Sequence, residues 1–254
     1  LTQRHYLDTI IYPDSDGQPM ADNTIQFNWI TTLVGELQDL YDDTPNVFVA
    51  GDLLWYPRQG QNHINRAPDA MVVFGRPKGD RGSYKQWEEG GIAPHCVFEV
   101  RSPTNTDKEM EEKLQFYNRH GVEEYYFYDP ATNLLKGWQR SRYFLQPIDV
   151  MAGWISPRLQ IRFDTTDSPK LVIYRPDGRR FASYVEQAQR ATAAEQRAQA
   201  ETEARQLAEQ RTQAALGAQQ LAEQRAQSEA EARQLAEQRA QAAVDARWAE
   251  AEAR

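Results

Sequence analysis

The sequence predicts an α/β domain followed by a long, separate helix. Helical periodicity alternates with β-rich runs, giving helix, strands, helix and strand in turn, with further β structure on the C-terminal side. Composition changes sharply near Ala188, beyond which the chain is almost entirely Ala, Gln, Glu, Arg and some Leu, with one glycine, Gly217, and no proline. The apolar run Cys96-Val-Phe-Glu-Val100 carries an acid in its middle. An ionised Glu in a strand covered on both faces costs several kcal/mol unless a cation, a metal or strong donors meet it. The 254 residues are 40% hydrophobic, enough for one sizeable core. A mean hydropathy of -0.78 is too polar for the whole length to be globular. The division expected is a domain over 1–184 and a helical tail over 185–254.

The first element is a helix from Asn23 or Thr24 to Tyr41, with Ile25, Trp29, Ile30, Leu33, Val34, Leu37 and Leu40 at helical spacing and Thr44-Pro45-Asn46 as its stop. Two β-rich runs follow, Val47 to Tyr56 and Arg66 to Phe74, joined by a polar stretch with Gly60 that reads as a hairpin loop; Pro68-Asp69 opens the second. Gly75 to Gly91 reads as a surface loop with Tyr84 and Trp87 folding back. The strand around Glu99 ends at Ser102-Pro103. Thr106-Asp-Lys-Glu109 is a capping box, and its helix runs to His120, where Gly121 supplies the stop. Val122 to Tyr128 is a strand closed by Asp129-Pro130. Further β segments are expected at Leu134 to Leu145, Leu159 to Phe163 and Leu171 to Tyr174, with Pro176-Asp-Gly178 as a turn.

Asp69 at a strand start, Glu99 in the buried run and Lys113 on the next helix form a candidate site. Met110, Leu114 and Tyr117 make that helix's apolar stripe, and Lys113 lies on its flank. Two carboxylates and one strand carbonyl suit Mg²⁺ or Mn²⁺, and a neighbouring lysine can position water for phosphodiester hydrolysis. Strand alternation puts Arg101 on the face of Glu99. Plainer readings stand beside these: Asp69 as a turn cap, Glu99 and Arg101 as a structural ion pair, and Lys113 as a lysine whose stem covers apolar surface. Asp52, on the strand expected to pair with that of Asp69, is within reach of the site. Glu36 reads as an exposed helix residue. Of His5, His63, His95 and His120, none shows metal-ligand spacing; His95 is placed nearest the site, and His120 at a helix C-terminus fits the dipole.

Taken as a series, Pro68-Asp69, Phe98-Glu-Val-Arg-Ser-Pro103, Glu112-Lys-x-x-x-Tyr117 and Gly121-Val-x-Glu-Tyr125 with Asp129-Pro130 resemble the Uma-two family of endonucleases, over roughly residues 24–183. That family belongs to the PD-(D/E)XK superfamily. The resemblance implies a restriction-endonuclease-like mixed sheet flanked by helices, with Asp69 and Glu99 binding the metal and the Val100 carbonyl as a third oxygen. Superfamily members often carry Lys two residues after the Glu, where this chain has Arg101. Arginine stays protonated, so it can hold a scissile phosphate and cannot act as a base. The resemblance gives the lysine's role to Lys113.

In the tail, Ala204-Arg-Gln-Leu-Ala-Glu-Gln-Arg211 returns as Ala232-Arg-Gln-Leu-Ala-Glu-Gln-Arg239, and Leu207, Leu221 and Leu235 are two heptads apart. Arg211, Arg225 and Arg239 take alternate seam positions, too polar for a strong zipper. The tail is read as a coiled coil joining copies of the chain or a protein partner through residues 185–254, or else as a solvated spacer helix. A net charge of -8, with 25 acids against 20 basic residues before residue 185, argues against bulk nucleic-acid binding, so a DNA groove needs a local basic patch. One cysteine, Cys96, fits a reducing, cytoplasmic setting. No apolar run reaches membrane length and nothing resembles a signal peptide; the chain begins at Leu1 rather than Met. The function expected is a Mg²⁺-dependent endonuclease acting on DNA. The alternative is a catalytically inactive nucleic-acid- or protein-binding module with an interaction tail.

Overall fold

The computed structural model describes residues 10–17, 19–166 and 168–252, with side chains up to residue 243. Helix α1, Thr24–Leu40, starts where Asn23 accepts hydrogen bonds from the Ile25 and Gln26 amides, at 2.9 Å each. It buries Ile30, Leu33 and Leu37, each contributing about 1.5–3 kcal/mol by leaving water. The chain then lays down strands β1 (Val47–Ala50), β2 (Trp55–Tyr56), β3 (Ala70–Phe74), β4 (Tyr84–Lys85) and β5 (Cys96–Val100). Helix α2, Asp107–His120, begins with the expected Thr106/Glu109 capping box and ends at Gly121 in the left-handed conformation, φ 96°. Strands β6 (Glu124–Asp129), β7 (Leu134–Ser141), β8 (Phe144–Pro147), β9 (Arg162–Asp164) and β10 (Val172–Tyr174) precede α3, Tyr184–Glu252.

Six strands form a mixed sheet in the order β1-β3-β5-β6-β7-β8, parallel between β5 and β6 and antiparallel elsewhere. The parallel pair needs a crossover, and α2 supplies it. Alternation divides each central strand between two cores. Cys96, Phe98 and Val100 of β5 join Ala70 and Val72 of β3 under α1, together with Phe163 and Ile173 of the β9–β10 hairpin. Val97, Met71 and Val73 join Tyr117 of α2, Tyr125 and Trp55 on the opposite face. Glu99 therefore points to the α2 face.

Two expectations need correction. The run Val47 to Tyr56 is not one strand. β1 pairs with β3 as the hairpin reading requires, but the chain kinks at Gly51-Asp52, where Asp52 has φ 49°, and β2 leaves to pair in parallel with β4. A Cβ on Gly51 would sit 2.5 Å from Val34 Cγ2 and 3.0 Å from the Asp69 carbonyl oxygen, so only glycine fits this kink. Glu36, read as exposed, is buried. It accepts from Arg175 Nε at 2.7 Å and from the Ala182 amide at 2.8 Å, an arrangement invisible in sequence because its partners are about 140 residues away. Tyr84 does fold back, stacking on Phe48 and donating to the Ile92 carbonyl.

Contacts divide the chain into two compact units, Leu1–Ala188 and Gln189–Arg254. In the second, every described residue is helical and every described side chain is exposed, the tail leucines about half so. No described helix is long and apolar enough to cross a membrane.

Candidate active site

Asp69 lies one residue before β3. Ala70 pairs with Phe98, so continuing the antiparallel register sets Asp69 opposite Glu99, and both acids face α2. Both are buried, at 7% and 2% exposure. Asp69 Oδ2 accepts the Val100 amide at 2.6 Å, and no described group bonds its other oxygen. Helix α2 closes over Glu99 with two side chains one turn apart. Lys113 Nζ donates to Oε2 at 2.6 Å and the Tyr117 hydroxyl donates to Oε1. Spacing i,i+4 makes this possible, since both side chains leave the same helix face.

The electrostatics follow from this packing. Burial pushes the Asp69 carboxyl well above its ordinary pKa, and the Glu99 charge adds to the rise; Lys113 and the Val100 amide pull back only part of it. Burial alone would lower the Lys113 ammonium, but Glu99 and Asp69 more than offset this and hold it above its usual value. A buried acid raised in this way has lost the water that would stabilise its charge and faces a second carboxylate as well. A cation between the two carboxylates would relieve it.

Asp69 and Lys113 open onto a cavity of about 440 Å³. Asp52 lines it, its amide donating to the Pro68 carbonyl at 2.9 Å; burial, Asp16 and Glu99 all raise its pKa. The cavity therefore brings together Asp69, Lys113 and Asp52, with Glu99 bonded to Lys113 behind them. Arg101 is not among the lining residues. Its guanidinium pairs with Asp107 at 2.8 Å and donates to the Asn105 carbonyl at 3.3 Å. The Val100 carbonyl, expected to face a metal, accepts Gln26 Nε2 at 3.0 Å, which leaves one of its two lone pairs. Among the described residues no three His, Cys, Asp or Glu side chains form a ready-made cation cage. The donors present are hard oxygens, as Mg²⁺ and Mn²⁺ prefer, and Mg²⁺ usually keeps several waters and takes one or two carboxylates. The residues thus fit that ion.

Sequence reasoning missed three contributors. Tyr117 fits the apolar stripe of α2, although its i,i+4 spacing from Lys113 signals a shared target. Gln26 and Arg66, which both line the cavity, carry no local signal; their positions come from tertiary packing. His95 Nδ1 accepts the Phe74 amide at 3.1 Å and does not line the cavity. His120 packs on Trp55 and Phe116, and burial with Arg58 and Arg119 lowers its pKa to about 4, so it carries no charge for the helix dipole to stabilise. His5 lies outside the described residues.

The family model described as "Putative restriction endonuclease", that of Uma-two, matches residues 6–166, starting earlier and stopping sooner than the motifs suggested. No curated protein matches the chain. Among solved structures, a chain titled as a putative nuclease belonging to DUF820 from Anabaena variabilis is similar at 13% identity and a TM-score of 0.41, over 55% of this chain and 74% of that one. The family match takes in well over half of the sequence, including Asp69, Glu99 and Lys113, and on that extent the chain belongs to the Uma-two family.

Proposed function

We propose that the protein is a metal-dependent endonuclease that hydrolyses phosphodiester bonds of DNA. The observation that carries this is the facing pair Asp69 and Glu99, buried on one side of the sheet, with Lys113 bonded to Glu99 at the edge of an open cavity. Mg²⁺ or Mn²⁺ held by Asp69 and Glu99, with the Val100 carbonyl, would lower the pKa of water and offset charge developing on the phosphoryl group. Among the described lining residues are five carboxylates and two cations, Arg66 and Lys113, so a polyanion needs added positive charge to enter.

The chain's own groups have distinct tasks in this reading. Lys113 remains an ammonium at neutral pH and donates to phosphate oxygen rather than accepting a proton. Tyr117 and Lys113 together hold the Glu99 carboxylate in one orientation. Arg66 supports a non-bridging oxygen from the cavity wall. Arg101, held by Asp107, is kept for the strand beyond the scissile bond.

A second reading is a nucleic-acid- or protein-binding module without catalysis; it draws on arginine, which cannot act as a base, standing two residues after Glu99 and on its pairing with Asp107. Incubating plasmid and single-stranded DNA with purified protein and Mg²⁺ or Mn²⁺ separates the two. Cleavage abolished both by chelator and by Glu99→Ala supports the nuclease. Cleavage unchanged by Glu99→Ala, or none by any preparation, rejects it. The reading further holds that residues 185–254 join copies of the chain or a protein partner.

A further inference from the structure

We propose that the sheet face carrying Glu99 holds a second substrate site, a pocket for one unpaired nucleotide next to the scissile phosphate. The inference rests on the nuclease reading above and concerns a separate cavity, of about 320 Å³, within the range of small-ligand pockets at about 300–1,000 Å³.

Its floor is aromatic. Tyr125 of β6 pairs across the sheet with Trp138 of β7, and the rings stack at 5.1 Å and 19°. Phe127 is next on β6, beside Glu99 in the parallel register and opposite Lys136. Trp138 is only half-buried, so part of its ring surface faces the cavity. An exposed aromatic face of this kind takes the π-face of any base.

Two cations serve the phosphate end. The Lys136 side chain is exposed and has no ion pair or hydrogen bond among the described residues. Arg101 is two residues beyond Glu99 on the same face, about 7 Å along the strand, a distance that one nucleotide step spans. Its partner Asp107 is 90% exposed, and a pair so solvated is weak enough to yield to a phosphate. On the α2 side, Glu111 presents an acceptor suited to exocyclic amino groups and repels a second phosphate strand. Cations at one end, an aromatic face in the middle and an acceptor on the α2 side complement a single nucleotide. Stacking on Trp138 requires a base that is not already paired, so the pocket selects single-stranded or frayed substrate.

The test measures binding and cleavage separately. Fluorescence anisotropy with the full chain in chelator follows a labelled single-stranded octanucleotide and the same sequence as duplex. Trp138→Leu and Lys136→Ala are each expected to weaken single-strand binding about tenfold and duplex binding less, while Lys170→Ala, a cation elsewhere, controls for bulk charge. With Mg²⁺, KM for the single strand rises by more than kcat falls. Should Trp138→Leu fail to fold by circular dichroism, Lys136→Ala and Lys136→Glu decide. Equal binding by wild type and these variants, an equal loss in Lys170→Ala, or no binding by wild type overturns the proposal. Cleavage that persists alongside unaffected binding leaves the nuclease reading intact. Tenfold losses in a protein that never cleaves support the pocket and reject the nuclease.

Discussion

Tyr117 and Lys113 divide the two oxygens of Glu99 between them, and each can be tested through what it leaves behind. Tyr117→Phe removes the donor to a buried carboxylate and should cost about 1–3 kcal/mol in thermal or urea unfolding. It should also weaken Mn²⁺ binding by about 10–100-fold, as expected when a group orienting a ligand is lost; calorimetry checks this without cleavage. Asp69 sets a pH dependence. Its folded pKa is above the unfolded value of 3.8, so between 3.8 and the raised value the folded state keeps a proton that the unfolded state has released. Stability of the metal-free protein therefore falls as pH rises through that window. Asp69→Asn should lose that part of the slope, and excess Mg²⁺ should restore wild-type stability at the upper end; an identical slope in Asp69→Asn would refute the assignment. Asp69, Glu99 and Lys113 were legible in sequence because a charge in an apolar strand, or beside an apolar helical stripe, has few innocent explanations. Gln26 and Arg66 were not, since polar residues at element edges fit solvent equally well.

The kink at Gly51-Asp52 shows where reading by element fails. Hydrophobic pattern runs on from Val47 to Tyr56, and period alone cannot reveal that one glycine lets α1 approach the strand so closely that the chain must turn. Gly51→Ala should therefore destabilise by about 1–3 kcal/mol through overpacking against Val34. It should also lower any cleavage, because the Asp69 carbonyl is the added methyl's other neighbour; a variant with wild-type unfolding midpoint would contradict this. The capping box and Gly121 stop of α2 and the strands on either side of it were readable because local chemistry and tertiary role agree there. The parallel pairing of β2 with β4 was not, being fixed by the long-range match of Trp55 with Tyr84.

At the scale of the whole molecule, the compositional break near Ala188 falls where the contacts divide the chain. The tail's seam, with leucines only every second heptad and arginines between them, makes any self-association weak. Sedimentation equilibrium should give a mass that rises with concentration for the full chain and stays monomeric for residues 1–188; identical masses would leave the tail a spacer. The net charge of -8 adds that nucleic-acid binding should fall steeply with salt, and the five carboxylates of the Asp69 cavity make entry there depend on divalent cation. One feature of the central strand extends to the whole fold. Cys96, the chain's sole thiol, is fully buried in β5 against Glu124, and burial together with that carboxylate raises its pKa well above the ordinary value. It cannot react with an alkylating reagent until the sheet opens around it. Its labelling rate in native buffer thus clocks the opening of the strand that carries Glu99, with no probe added to the sequence.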